Sequence, residues 1–325
     1  MKRRALLLAS AALLAPLARA QNAERIPRVG YLFSFVRSQG EHLWQACRQG
    51  LRELSYVEGR NIVLEPRWAD GRHERLPQLV AELVRLNVDV IVAAATPANQ
   101  AAKSGAGRIP VVMVAVSDPA RIGLVASLVR PGGNMTGLSL LTPELSGKRL
   151  ELLAEIVPRL KRVAALMNPE NRRTHDLFLD ETRTAGRALG ISVEPQLARS
   201  AAELEPAVKA ALGDGAQACI VFDDPVLWSY RKGIVELAAK SRLPVMYGYS
   251  EFVDEGGLIS YGPHRPDLYR RTASYVDKIL KGANPAELPI ERPTRFELFV
   301  NLKAARSLAL AMPQSILLRA DRVIE

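Results

Sequence analysis

Two strand–turn–helix units set back to back limit the folds open to this chain more than any other stretch. The first reads Val88-Asp89-Val90-Ile91-Val92-Ala93-Ala94, then Ala95-Thr96-Pro97-Ala98-Asn99 and an alanine-rich run. The second reads Ile109-Pro110-Val111-Val112-Met113-Val114-Ala115-Val116 and closes on Ser117-Asp118-Pro119. Each is a short, almost continuous apolar run ended by a polar turn, the pattern of a strand covered on both faces of a parallel sheet. In open sheets of that kind, ligands sit beyond the carboxyl ends of the strands. Thr96, Pro97, Ser117 and Asp118 occupy those ends. They are groups that hold a solute; none is a nucleophile with an evident base beside it.

The same alternation runs through the rest of the chain. A first strand over Arg28–Phe33 ends at Ser34, a helix covers Leu43–Leu54, and Asn61–Glu65 forms a strand followed by a loop at Arg67–Gly71. Leu76, Leu79, Val80, Leu83 and Val84 mark a helical stripe. After the turn Pro131-Gly132-Gly133-Asn134 the pattern starts again at Thr142. Strands then end at Asn168, at Asp223-Asp224-Pro225, and at Tyr247 ahead of Gly248-Tyr249. A βαβ series carried through twice implies right-handed crossovers and two parallel sheets. The expected fold is α/β, with two doubly wound parallel-sheet lobes joined by a multi-strand hinge. Gly256–Gly262 and Phe296–Val300 read as further crossing strands. Lobe 1 is then 26–138 plus about 262–290, and lobe 2 is 139–261 plus about 296–325.

The N-terminus has the marks of an export signal. Lys2-Arg3-Arg4 is a basic start, Ala5–Leu17 is mostly apolar, and Ala18-Arg19-Ala20 is a small-x-small cleavage signature. Residues 1–20 are therefore expected to be a signal peptide cleaved after Ala20, leaving a periplasmic protein. Its loss removes four basic residues and no acid, so the formal charge falls from +10 to +6. The remaining charges scatter over helical faces instead of clustering with aromatics, and no nucleic-acid surface is expected. The apolar start is too short to span a bilayer. Cys47 and Cys219 fall on an apolar helix stripe and in a strand, and read as two separate buried thiols. His42, His73, His175 and His264 have no metal-ligand spacing, and no nucleotide loop or nucleophile elbow occurs. Neither metal nor cofactor is expected, and no catalytic residue is assigned.

What remains is a ring of strand-end groups: Ser34, Thr96, Pro97, Ser117, Asp118, Asn168, Asp223, Tyr247 and Tyr249. Residues of these types also cap helices, so each has a structural reading beside the ligand-binding one. Asp223-Asp224 could be a catalytic acid pair or a helix cap. As a ligand contact, Asp223 should weaken binding when replaced by alanine and leave the thermal midpoint of the empty protein nearly unchanged.

Five stretches carry a family resemblance: Gly50–Asn61 (GLRELSYVEGRN), Arg130–Ser139 (RPGGNMTGLS), Leu145–Leu153 (LSGKRLELL), Tyr247–Val253 (YGYSEFV) and Phe296–Lys303 (FELFVNLK). Together they resemble the ABC-transporter substrate-binding proteins of the tryptophan/tyrosine-transport type. The resemblance implies a type I periplasmic-binding fold of Venus-flytrap design, two hinged lobes closing on a small ligand. The implied function is a monomeric solute-binding protein of an ABC importer. It would capture an amino acid, an aromatic one or a related carboxylate, and deliver it to an inner-membrane permease. A ligand-sensing module for a membrane receptor is the alternative, with a periplasmic hydrolase behind it. By position, Thr96 and Ser117-Asp118-Pro119 would be lobe-1 contacts, and Asn168 and Asp223 lobe-2 contacts. Thr96 and Ser117 suit a carboxylate, while Asp223 or Asp118 suits an ammonium. Tyr31, Phe33, Phe35, Trp228, Tyr247 or Tyr249 would supply aromatic walls. The chain departs from the amino-acid-binding members at Pro169-Glu170-Asn171-Arg172-Arg173, where a bulkier, more basic loop favours a more acidic ligand.

Overall fold

The computed structural model describes residues 25–140 and 142–325, with only the backbone of Thr142. The expected signal peptide, residues 1–20, and Leu141, in the segment expected to link the lobes, lie outside the described residues. In chain order the first half runs β1 (Arg28–Phe33), α1 (Arg37–Glu53), β2 (Val63–Trp68), α2 (Leu76–Arg85), β3 (Val90–Ala94), α3 (Ala95–Gly105), β4 (Val111–Val116) and β5 (Met135–Ser139). The second half runs α4 (Thr142–Ile156), β6 (Arg162–Met167), α5 (Arg172–Leu189), β7 (Ser192–Leu197), α6 (Ala201–Gly213), β8 (Ala218–Val221), α7 (Pro225–Ser229), α8 (Arg231–Lys240) and β9 (Val245–Tyr247). It continues with α9 (Glu251–Asp254), β10 (Ile259–Pro263), α10 (Arg265–Leu280), β11 (Phe296–Asn301), α11 (Leu302–Ser307), α12 (Gln314–Leu317) and β12 (Arg322–Ile324).

The strands form two sheets, a five-stranded one in the order β2-β1-β3-β4-β5 and a seven-stranded one in the order β12-β11-β10-β9-β8-β6-β7. Every pairing is parallel except β10 with β11. The apolar runs of β3 and β4 are buried along their whole length. Tyr31, Val90, Val92 and Val112 pack with Leu43 and Cys47 of α1 and with Leu268 and Val276 of α10. On the opposite face, Leu32, Ile91 and Met113 pack with Leu76, Leu79, Val80 and Leu83 of α2. Each of those α2 side chains gains roughly 1.5–3 kcal/mol from leaving water, as an upper bound.

The second strand is displaced from the expected Asn61–Glu65: it begins at Val63 and continues through Pro66 to Trp68, into the expected loop. A proline lacks the N–H that an inner ladder needs, and β2 is an edge strand, where this is tolerated. Pro195 lies on the edge strand β7 for the same reason.

The chain passes between the sheets three times: after Ser139, between β10 and α10, and between Glu291 and β11. At the first and third passages the backbones are joined, Ser139 N–H donating to Glu291 O and Glu291 N–H to Gly137 O, each at 3.0 Å. Gly137 has φ +133°, and a Cβ there would stand 2.1 Å from Met113 O, so the passage next to β4 requires glycine. Returning from the second sheet, α10 packs on α1. Arg270 Nη1 donates to Glu53 Oε2 at 2.9 Å, and Tyr56 OH donates to Asp277 Oδ1 at 3.0 Å. Cys47 and Cys219 are both buried and unpaired.

Candidate functional site

The carboxyl ends of the two sheets meet. Phe35, just after β1, lies edge-on to Trp228 of α7, with ring centroids 5.2 Å apart. Gln39 Nε2 donates to Ser229 O at 3.0 Å, Arg121 Nη1 pairs with Glu181 Oε1 at 2.9 Å, and Arg173 Nη1 donates to Ile122 O at 3.4 Å. His42 Nε2 stands 3.2 Å from Glu251 Oε1. All five contacts join the loops and helices that follow strands of opposite sheets. The boundary is therefore shut, with aromatic rings in its middle and ion pairs at its rim.

On the first-lobe side, two strained alanines present the strand-end hydroxyls. Ala95 has φ +70° and Ala115 φ +58°, a left-handed backbone that costs a residue with a Cβ roughly 1–2 kcal/mol. The first makes α3 begin directly at the end of β3, so Thr96 and Pro97 lie in its opening turn and not in a loop. The second lies in the bulge of β4, where the pairing with β5 slips, and it re-aims the backbone ahead of Ser117. Thr96 and Ser117 are each 3% exposed, and neither hydroxyl has a hydrogen-bond partner among the described residues. They are the two strand-end hydroxyls that nothing among the described residues engages.

The other first-lobe candidates are engaged. Ser34 Oγ donates to Ala94 O at 3.1 Å and accepts from Ala98 N–H at 3.2 Å, tying β1 to the start of α3. Asp118 Oδ1 accepts from Ala120 and Arg121 N–H at 3.2 and 3.0 Å, so it caps the turn after β4. Pro97 lines a cavity of about 490 Å³ at the boundary's lip, with His73 and Gln100 from one side and Glu170 and Asn171 from the other.

On the second-lobe side, Asp223 and Asp224 have different tasks. Asp224 Oδ1 accepts from Val226 and Leu227 N–H at 2.8 and 3.1 Å and from Asn168 Nδ2 at 3.2 Å, while Oδ2 accepts from Asn171 Nδ2 at 3.1 Å. It is the N-cap of α7 and the anchor of the loop after β6. Asn168 is used up there, its Oδ1 accepting from Glu170 N–H at 3.0 Å. The basic loop residues are occupied as well: Arg172 pairs with Asp176 at 3.4 Å, and Arg173 spans the boundary to Ile122.

Asp223 has a different partner. Its Oδ2 accepts from Arg149 Nη2 at 3.0 Å, both side chains are 1% exposed, and Oδ1 has no partner. Burial raises the Asp223 carboxyl above its ordinary range, and Arg149 pulls the other way. Gly248 is what makes room for the pair: a Cβ there would stand 1.6 Å from Asp223 Oδ1. Arg149 was not among the expected site residues, although α4 carries a legible signal. It occupies the buried stripe Ser146, Arg149, Leu150, Leu153, Val157, where a charge needs a partner.

Of the two tyrosines, Tyr247 points away from the boundary. Its ring stacks on Phe252 at 4.5 Å and borders a groove with Ala238, Leu243 and Gly257 on the far face. Tyr249 lies at the boundary with its ring engaged. The Arg265 guanidinium carbon stands 4.2 Å from the centre of that ring and 4.3 Å from that of Trp228. Arg265 also bonds Glu251 at 3.1 Å. Burial pushes the Glu251 carboxyl up, but Arg265 and the hydrogen bond to His42 outweigh it and hold it at about 2.

Among the described residues no helix is long and apolar enough to cross a membrane, and no group of three or more His, Cys, Asp or Glu is placed to hold a metal ion.

Comparison with known proteins fits this geometry. A solved structure of a conserved domain protein from Vibrio cholerae is 27% identical, covers 92% of this chain and all of its own, and superposes with a TM-score of 0.87. A Streptococcus pneumonia ABC domain solved in complex with L-Trp is 26% identical, with a TM-score of 0.84 over 92% of this chain and 99% of its own. A tyrosine-binding protein of Clostridioides difficile is 24% identical over 261 residues, 80% of this chain and 74% of that one. The sequence model of the ABC transporter substrate binding protein family matches residues 40–324. With two parallel-sheet lobes meeting at their strand ends and a match over nearly the whole described chain, the protein belongs to the ABC transporter substrate binding proteins.

Proposed function

We propose that this protein captures an aromatic L-amino acid between its lobes and hands it to an ABC permease of the inner membrane. It would act as a periplasmic monomer after cleavage behind Ala20, and it performs no chemistry on its cargo. The observation that supports this reading is that polar atoms without a partner occur at strand ends of both lobes, next to an aromatic contact between them. Thr96 and Ser117 at the strand ends of the first lobe have no hydrogen-bond partner among the described residues, Asp223 Oδ1 has none in the second, and Phe35 meets Trp228 between the lobes. An α-carboxylate takes hydrogen bonds from the two hydroxyls, and an α-ammonium takes the open Asp223 oxygen. The L-Trp held by the Streptococcus relative and the name of the Clostridioides relative support an aromatic side chain.

Residues 26–138 with about 262–290 move as one lobe, and 139–261 with about 296–325 as the other, about Gly137–Leu141 and Ser260–Gly262. The ligand biases this motion because it touches both lobes only when they are closed. The Phe35–Trp228 and Arg121–Glu181 contacts would part on opening.

The test is calorimetric titration of residues 21–325 with L-tryptophan, L-tyrosine, L-phenylalanine and aliphatic amino acids, together with thermal unfolding. Ligand at about 100 times Kd should add about 2.7 kcal/mol of stability. Substituting Thr96→Val and Ser117→Ala together should weaken binding with little change in the empty protein's midpoint. Absence of heat and of any midpoint shift with every amino acid would defeat the proposal.

A further inference from the structure

We propose that Arg149 is a specificity-determining residue which reads the ligand's α-carboxylate from the second lobe, restricting the site to zwitterions. This rests on the reading above that an amino acid occupies the lobe boundary. The argument starts from how the Arg149–Asp223 pair is made. A guanidinium and a carboxylate can lock edge to edge through two parallel bonds, which use both oxygens and two nitrogens. Here one bond forms, Nη2 to Oδ2 at 3.0 Å, and Nε donates instead to Tyr261 O at 2.8 Å. One donor, Nη1, and one acceptor, Oδ1, are left over; both are buried and neither has a partner. Unpartnered charged atoms in a dry setting are unfavourable, and a fold keeps such a pair where something else completes it.

The leftovers specify the chemistry of that something. It must donate to a carboxylate oxygen and accept from a guanidinium nitrogen, with a positive and a negative group a few ångströms apart. The α-ammonium and α-carboxylate of an amino acid supply this. A carboxylate has lone pairs enough to meet Arg149 from one lobe and the Thr96 and Ser117 hydroxyls from the other. It then becomes the group that bridges the boundary. The Arg265–Glu251 pair also has leftover atoms, Nε and Oε2, but its carboxylate is already joined across the boundary to His42 at 3.2 Å, so that pair is bridged by the protein itself. Arg149 is also tied to the crossing strand β10 through Tyr261 O, so a carboxylate seated on Nη1 is one residue away from the connection that bends.

The experiment compares L-tryptophan with L-tryptophanamide, and L-tyrosine with L-tyrosinamide, by calorimetry on the wild-type chain 21–325 and on Arg149→Lys. The amide keeps the ammonium and the ring but lacks the anionic group. Lysine keeps a cation beside Asp223 but has no second nitrogen to offer. The wild type should favour the acid over the amide by roughly 100-fold. In R149K the acid should lose most of that factor while the amide stays within about threefold, so the preference falls below about tenfold. Equal weakening of acid and amide would show that Arg149 merely supports Asp223 and would overturn the proposal, as would no change in either. If R149K does not fold, the Thr96→Val/Ser117→Ala chain decides. It retains Arg149 and should still prefer the acid by more than about tenfold; equal affinities there assign carboxylate reading to the first lobe alone. A wild type that binds no amino acid overturns the functional reading itself, and this inference with it, whereas binding without acid–amide discrimination overturns only the inference.

Discussion

Replacing Asp223 by alanine tests whether the boundary is dry in the empty protein. The substitution leaves Arg149 with a full charge at 1% exposure and only Tyr261 O for company. Removing one partner of a buried ion pair costs about 3–5 kcal/mol, because the survivor cannot regain its hydration. For a lobe of this size each kcal/mol moves the midpoint by about 2–4 °C, so a fall of roughly 6–20 °C follows. This reverses the expectation from sequence that D223A would leave the empty protein nearly unchanged. Removing both charges, as Arg149→Met with Asp223→Leu, deletes the uncompensated group and should restore most of the loss. Asp223→Asn keeps an acceptor for Nη2 and should fall between the two. The assay is thermal unfolding of ligand-free residues 21–325 by circular dichroism, comparing wild type, D223A, D223N and the R149M/D223L chain. A double variant as unstable as D223A, or a D223A midpoint within about 2 °C of wild type, would mean that water reaches the pair in the empty state. The reasoning from burial would then fail.

Asp224→Ala should be costly for a different reason. It removes the α7 cap together with the anchors of Asn168 and Asn171, and should lower the midpoint by roughly 5–10 °C and weaken ligand binding as well. A D224A chain with wild-type stability would refute the cap assignment. The Glu251 carboxyl is held at about 2, below its unfolded value near 4.5, so its contribution is complete above about 4.5 and is lost as the pH falls through about 2. The midpoint gap between wild type and Glu251→Gln should therefore hold from pH 7 to about 4.5 and narrow below, and a gap of constant size at pH 2.5 would contradict this. Burial pushes both thiols up to about 12, so Cys47 and Cys219 should resist a thiol reagent at pH 8 in the native protein and react at once in denaturant. Rapid native labelling would show that one of them is reached by solvent.

The primary structure alone determined the architecture of this protein. Apolar runs such as Val90–Ala94 and Val111–Val116 can be satisfied only between two helical layers, and the series restarts from Thr142, although the strand after the Pro131–Asn134 turn still belongs to the first sheet. It also determined where ligand-facing groups had to be sought, because parallel strands bring their carboxyl ends to one edge. Which of those groups are free was decided by tertiary contacts. Ser34 and Asn168 look like Thr96 and Ser117 in a linear reading, yet they have partners 60 and 56 residues away in the chain, at the end of β3 and at the cap of α7, whereas Asp118 is taken up by its own turn. Tyr247 and Tyr249 should share a face by strand parity. The strand ends at Tyr247, however, and the backbone bends at Gly248 to clear Asp223, so only Tyr249 reaches Arg265. Arg149 and Asp223 stand 74 residues apart. Local periodicity can flag an arginine on a buried stripe, but the carboxylate that meets it is chosen by the packing of α4 across β8, β9 and β10.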